Sequence, residues 1–178
     1  MDSHCGLLAA WTVLNYFGER PSVAALEKAC RHTRRHGVFT IGLAAALAQY
    51  GLGVAFHSRK DSHRHPIEVR LYRRALRLGV ALLPATSLRQ LVTAIDEDHV
   101  PIVFYNTRDN VGHFSPLLGA RRGRLLLPNT VEGTVAVAEF ERGWRQPGIL
   151  QQAIVVTRLP NKRLERTAEK RGRSIAGR

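Results

Sequence analysis

The chain has few cysteines, few acidic residues and no long apolar run. Its only cysteines are Cys5 and Cys30 in 178 residues, which excludes a disulfide-dense scaffold. No apolar run approaches the roughly 20 residues of a transmembrane helix. No positively charged segment precedes the apolar start, as a signal peptide would require. We therefore expect a soluble, cytoplasmic protein without a membrane span.

Acidic residues are outnumbered by basic ones, 14 to 27, which gives a formal net charge of +13. Such a charge favours acidic partners in general. Residues 158–178 hold eight Lys or Arg, two Glu and few apolar side chains, so we expect a disordered basic tail after a domain of residues 1–157. The basic cluster at 70–77 has helical spacing and is typical of a solvated helix face. No motif of specific nucleic-acid binding is present.

Hydrophobic periodicity predicts helices in the first half of the chain and strands in the second. Apolar residues recur at steps of three and four from Leu7 to Phe17, which predicts a buried helix that ends at Gly18. Further helices are predicted after the N-caps Ser22, Thr40 and Ser87 and over residues 67–78. A strand is expected at 53–58, and short β-rich runs follow from residue 101. This order indicates an α+β domain.

Cys5 falls in the first turn of the first predicted helix. The unpaired N–H groups and the positive dipole at a helix start stabilise a thiolate, which is the reactive form of cysteine. Cys5 is therefore a candidate nucleophile, although a free cysteine is more often a small buried hydrophobe. The second interpretation is the one we favour for Cys30, on the apolar side of the second helix.

A nucleophilic thiol needs a base, and the base needs an orienting group. His113, in "NVGHFSPLLGA", is expected at the start of a strand, and Asn129 follows after the turn "GARRGR". If the two flanking strands form a hairpin, the Asn129 side chain can hold the far ring nitrogen of His113. Taken singly, these are an ordinary strand-edge residue and an ordinary turn residue. The order Cys, His, Asn on these elements is typical of papain-type chemistry.

Four segments resemble the double-glycine leader peptidases and related stand-alone domains of the papain-like superfamily: "DSHCGLLAAWTVLNYFG", "FTIGLAAALAQYGLGVAF", "VPIVFYN…GHFSPLLGARRGRLLLPNT" and "FERGWRQPGILQQAIVV". The resemblance covers about residues 3–157. It implies a papain-like α+β fold, with a helical part that carries the nucleophile followed by an antiparallel sheet that carries the base. It also implies a cysteine peptidase or amidase that acts on a peptide, with Cys5 as nucleophile, His113 as general base and acid, and Asn129 as orienting residue.

Two alternatives stay open. "CGL…VLN" and "YNTR…GHFSP" resemble phytochelatin synthase, which implies γ-glutamylcysteine transfer or glutathione hydrolysis on a γ-glutamyl peptide. The other alternative is a pseudoenzyme that binds peptide without cutting it. Both families usually have Asp at the place of Asn129 and an oxyanion-binding Gln six residues before the nucleophile. That second position would precede Met1, so we expect either a missing upstream segment or a weakened activity.

No cofactor is implied, and the oligomeric state is left open. Two histidine groups have spacings that metal sites use, namely His57, His63 and His65, and the pair His32 and His36. Neither group has a cysteine or a convincing carboxylate set nearby, and arginines crowd the pair. We therefore expect no metal site.

Overall fold

A computed structural model describes residues 4–33 and 36–158, so all of the expected basic tail except Arg158 lies outside the described residues. The elements in chain order are α1 (Cys5–Tyr16), α2 (Val23–Cys30), α3 (Thr40–Gln49), β1 (Gly53–Ser58), α4 (Pro66–Arg77), β2 (Ala81–Pro84), α5 (Leu88–Thr93), β3 (His99–Asn106), β4 (Gly112–Pro116), β5 (Gly119–Arg121), β6 (Arg124–Leu126), β7 (Thr134–Ala136), α6 (Val137–Trp144) and β8 (Ala153–Thr157). The predicted α+β class is confirmed.

The strands form two sheets. The larger has the order β2-β1-β8-β3-β4, and the smaller has the order β5-β6-β7. All neighbouring strands are antiparallel except β1 and β2, which are parallel. Strand β4 is therefore an edge strand of the larger sheet, and one side of it is open to other parts of the chain.

Both faces of the larger sheet are covered. Successive side chains of a strand point to opposite faces, so β3 contributes residues to a core on each side. On β3, Ile102 packs into the core formed with α1, α2 and α3. Val103 and Tyr105 pack into a second core with α6 and the smaller sheet. The sheet thus separates the helical part of the chain from the later elements.

Helix α1 approaches β4 at Gly6. A Cβ atom on Gly6 would lie 3.2 Å from the ring of Phe114, closer than ordinary van der Waals contact. That ring is stacked on Phe104 of β3, with 4.4 Å between the centroids. The missing side chain of Gly6 therefore lets the start of α1 rest on the edge of the sheet, and this places Cys5 beside β4.

The predicted N-cap residues are found in the structure with one exception. Ser22 and Ser87 cap α2 and α5 as predicted, since each hydroxyl accepts a main-chain N–H three residues ahead. Thr40, predicted as an N-cap, is instead the first residue of α3, and the cap is Phe39. The Thr40 hydroxyl donates to Oε1 of the buried Gln152, so a long-range hydrogen bond replaces the local one. None of the described helices combines the length and hydropathy that crossing a membrane requires.

Candidate active site

Cys5 is the first residue of α1, at the helix end that faces β4. Its N-cap, His4, makes no side-chain hydrogen bond to the helix, so the cap leaves the N–H groups of the first turn uncovered. The thiol is partly exposed, and its Sγ lies 4.0 Å from the carbonyl oxygen of Gly112. Gly112 directly precedes His113, so the thiol is placed at the start of the strand that carries the candidate base.

His113 is the second residue of β4 and is half-buried. Its cross-strand neighbour is Tyr105 of β3, and the two rings meet edge to face with 5.8 Å between centroids. The ring Nε2 lies 3.0 Å from the main-chain oxygen of Asn129. A carbonyl oxygen only accepts hydrogen bonds, so Nε2 carries the proton and, in the neutral ring, Nδ1 is the basic nitrogen.

The surroundings of His113 favour its neutral form. Burial lowers the pKa of the His113 imidazole below its usual value, and the hydrogen bond to the Asn129 carbonyl partly opposes this shift. Burial acts by removing water from around the charged ring. At neutral pH the residue is therefore a base with a free lone pair on Nδ1.

Asn129 contacts His113 through its main chain, where sequence reasoning expected its side chain. The amide Nδ2 of Asn129 is buried and has no hydrogen-bond partner among the described residues. The hairpin expected at "GARRGR" forms between β5 and β6 of the smaller sheet, but β4, which carries His113, is not part of it and pairs with β3. Asn129 reaches His113 from the loop that follows β6.

Ser115 holds that loop in place, and sequence reasoning missed it. Its hydroxyl accepts the N–H of Asn129 at 3.3 Å and donates to the carbonyl of Pro116 at 3.0 Å. Ser115 is fully buried and lies two residues after His113, on the same face of β4. The sequence could have pointed to Ser115, because it lies two residues after His113 and a buried hydroxyl between apolar strand residues needs a partner.

The thiol and the imidazole are neighbours without a hydrogen bond between them. In the described part of the chain, the partner of Cys5 Sγ is the Gly112 carbonyl rather than a ring nitrogen of His113. Gly112 itself is tightly enclosed, since a Cβ atom there would lie 2.8 Å from the ring of Phe104. The sequence-predicted trio is thus gathered around the first two residues of β4.

Tyr105 lies beneath this group. Burial, together with the negative charges of Glu139 and of a Cys5 thiolate, raises the pKa of the Tyr105 phenol to about 12. The phenol is therefore neutral at neutral pH. On the far side of His113 is a cavity of about 510 Å³, edged by the ion pairs Arg108–Glu139 at 2.6 Å and Arg124–Glu132 at 2.9 Å.

The other histidines have structural contacts. His65 caps α4, His57 Nδ1 lies 3.0 Å from the Pro84 carbonyl, and His63 pairs with the Ser62 hydroxyl. The rings of His36 and His65 are 5.3 Å apart. Within residues 4–33 and 36–158, no group of three His, Cys, Asp or Glu side chains is placed to hold a metal ion.

The fold is the papain-like fold of C39 peptidase domains. The peptidase domain of Streptococcus ComA, a bifunctional ABC transporter of a quorum-sensing pathway, has a TM-score of 0.60 and 14% sequence identity, with 89% of this chain and 95% of that chain covered. A C39-like peptidase from Bacillus anthracis has a TM-score of 0.59 and 14% identity, with 90% and 91% covered. No protein family and no curated protein matches the chain. Neither structure supports the second resemblance, to phytochelatin synthase.

Proposed function

We propose that the chain is a cysteine peptidase or amidase in which Cys5 is the nucleophile and His113 the general base and acid. The observation that carries the proposal is the meeting of the Cys5 thiol and the His113 strand at Gly112. His113 there has Nε2 engaged by a carbonyl and Nδ1 available to accept a proton. A nucleophile, a base and a group that orients the base are the components that this chemistry requires.

The reaction proceeds in two halves. Nδ1 of His113 takes the thiol proton as Sγ of Cys5 attacks the amide carbonyl carbon, and the oxyanion is stabilised by the main-chain N–H of Cys5 at the helix start. The C–N bond then breaks, and the protonated Nδ1 gives its proton to the leaving amine. Water, deprotonated by Nδ1, attacks the thioester, which releases the acid and restores the thiol.

The Asn129 carbonyl orients the base in this scheme. By accepting the Nε2 proton it fixes the tautomer that presents a basic Nδ1, and its partial negative charge stabilises the imidazolium that forms. A carbonyl does so less than the carboxylate that related enzymes usually place there. We therefore expect the enzyme to be slower than a peptidase with a Cys–His–Asp trio.

A pseudoenzyme is the second candidate, because the Cys5 thiol bonds to the Gly112 carbonyl rather than to His113. Such a protein would bind peptide beside Cys5 and His113 without cleaving it.

The test is hydrolysis of a peptide library of mixed sequence, followed by mass spectrometry. We expect cleavage that is abolished in Cys5→Ala, reduced about 10²- to 10⁴-fold in His113→Ala, and kept in Cys30→Ala, the matched control at the buried cysteine. Cleavage that persists in Cys5→Ala contradicts the proposal. Peptide binding without cleavage by the unaltered chain favours the pseudoenzyme.

A further inference from the structure

A basic groove lies between α2 and α4, which both pack on α3. Both helices approach α3 closely at Gly42, where a Cβ atom would lie 3.0 Å from the Cys30 carbonyl oxygen of α2 and 3.2 Å from the Leu71 side chain of α4. The groove has a volume of about 820 Å³. It follows one face of α2 and one face of α4 and continues onto the residues directly after α2. The lining residues are Ala24, Glu27, Lys28, Arg31, His32, Thr33, Ile67, Arg70, Leu71, Arg74 and Arg77.

The groove has an excess of positive charge. Among its described lining residues, five are Lys or Arg and one, Glu27, has a carboxylate. None of those five cations forms an ion pair with a carboxylate in the described part of the chain, whereas Arg108, Arg124 and Arg145 elsewhere each do. The described lining therefore gives the groove a positive potential.

Arg74 lies between Arg70 and Arg77 on α4, and two hydrogen bonds hold its side chain in place. Its guanidinium donates to the carbonyl of Ala29 at 2.7 Å and to Oε1 of Gln49, and neither acceptor neutralises its charge. Partial burial and the nearby charges of Arg31 and Arg77 lower the pKa of Arg74. An anion in the groove would relieve this repulsion and find a donor that is already positioned.

One end of the groove lies beside His4, the residue before the candidate nucleophile. Glu27 in the lining lies 3.9 Å from Nε2 of His4, and the His4 ring is stacked on His32 of the lining with 5.2 Å between centroids. His4 directly precedes Cys5. A ligand seated along the groove is therefore directed toward the start of α1.

We propose that the groove binds the acidic side chains of a peptide whose scissile amide is presented to Cys5, an inference that rests on the proposed function. Arg70, Arg74 and Arg77 span about 10 Å along α4 at 1.5 Å per residue, which matches three to four residues of an extended peptide. A single-stranded nucleic acid fits less well, because none of the described lining residues is a Phe, Tyr or Trp that could stack on bases. The apolar part of the lining is aliphatic.

The test compares two fluorescein-labelled peptides by fluorescence anisotropy on the full chain, one with four consecutive Glu and one with Gln at those positions. We expect the Glu peptide to bind about tenfold more tightly, and R70Q/R77Q to remove about that factor. The matched control R121Q/R122Q changes the net charge equally at the exposed β5–β6 turn, and we expect it to leave the affinity within about twofold of the original. Added salt should weaken the binding of the Glu peptide.

Three results overturn the inference: equal losses in both double variants, which would indicate the net charge alone; equal binding of the two peptides; or displacement of the Glu peptide by a single-stranded oligonucleotide at lower concentration than by unlabelled Glu peptide. The iodoacetamide labelling rate of Cys5 in R70Q/R77Q should equal that of the unaltered chain. Groove binding without cleavage of any peptide would contradict the proposed function but keep the groove. Equal cleavage rates for peptides with and without acidic residues would contradict the inference about the groove but not the proposed function.

Discussion

Main-chain atoms carry much of the candidate site at the residue scale. Cys5 contacts the carbonyl of Gly112, and His113 contacts the carbonyl of Asn129. The sequence pointed to Cys5 and His113 because each has a reactive side chain at the start of a predicted element. It could not show which part of Asn129 faces the ring, because every residue has a carbonyl and only the path of the loop decides which one is used. The catalytic role of the trio stays a prediction.

Ser115→Ala should change His113 more than Asn129→Ala does. Removing the Ser115 hydroxyl releases the Asn129 N–H and loosens the carbonyl on Nε2. Because that hydrogen bond raises the His113 pKa against the effect of burial, its loss should lower the pKa further. Asn129→Ala keeps the carbonyl and should leave the pKa nearly unchanged. An NMR titration of the His113 ring measures both shifts.

Ser115→Ala also leaves a buried N–H unpaired, which costs about 1–3 kcal/mol of unfolding free energy. The pKa measurement separates this structural cost from the positioning role. A normal His113 titration in Ser115→Ala together with a shifted one in Asn129→Ala would show that the Asn129 side chain is the orienting group.

Some elements follow directly from local sequence, and others depend on distant partners. α1 and β3 have strong apolar patterns and clear ends, and both were predicted. β2 and β7 were not. β2 is exposed along its whole length, and β7 has only three residues, so neither has the apolar alternation that marks a strand. Both exist because a neighbouring strand supplies hydrogen bonds, which a single-sequence pattern does not contain.

Helix α6 is the element whose position depends most on a single missing side chain. A Cβ atom on Gly143 would overlap the main-chain oxygen of Asn106, at the end of β3. α6 also carries Phe140 and Trp144, which are fully buried in the second core. Gly143 therefore allows α6 to press these rings against the strand that pairs with β4.

Gly143→Ala should destabilise the fold by about 1–3 kcal/mol or more, because the added methyl group has no space. In an unconstrained helix interior the same change would stabilise by about 1 kcal/mol, so the sign of the effect is diagnostic. Chemical denaturation measures it. Arg142→Ala, at the exposed neighbouring position, should change stability by less than about 0.5 kcal/mol. A stabilising Gly143→Ala would contradict the close approach of α6 to β3.

The described molecule reaches from the start of α1 to the end of β8, and its last described residue is well attached. The Arg158 N–H donates to the Asp98 carbonyl at 3.2 Å, and its guanidinium lies over the Phe17 ring. These contacts join the end of the domain to α1. The sequence placed the domain boundary at this point because large apolar side chains become rare beyond it.

Truncation after Leu159 should leave the melting temperature unchanged, because residues 160–178 have too little apolar surface to offset the entropy of ordering. The cut keeps both contacts of Arg158. Differential scanning calorimetry of the full and the shortened chain measures the effect. A drop of several degrees would show that the tail packs on the domain.

The central claim is that Cys5 and His113 act together, and the most direct test is the rate of Cys5 alkylation as a function of pH. Iodoacetamide adducts are mapped by mass spectrometry in the unaltered chain, in His113→Ala and in the control His99→Ala, which alters an exposed histidine paired with Asp96. Cys30 is an internal reference, because burial raises the pKa of its thiol to about 12.

We expect Cys5 to be alkylated selectively at neutral pH and Cys30 to react only after unfolding. His113→Ala should slow the alkylation of Cys5 at neutral pH by about tenfold or more, because the base that accepts the thiol proton is gone, while His99→Ala should not. If His113→Ala leaves the rate of Cys5 alkylation unchanged at every pH, or if Cys30 reacts first, the two residues are not a catalytic pair and the account fails.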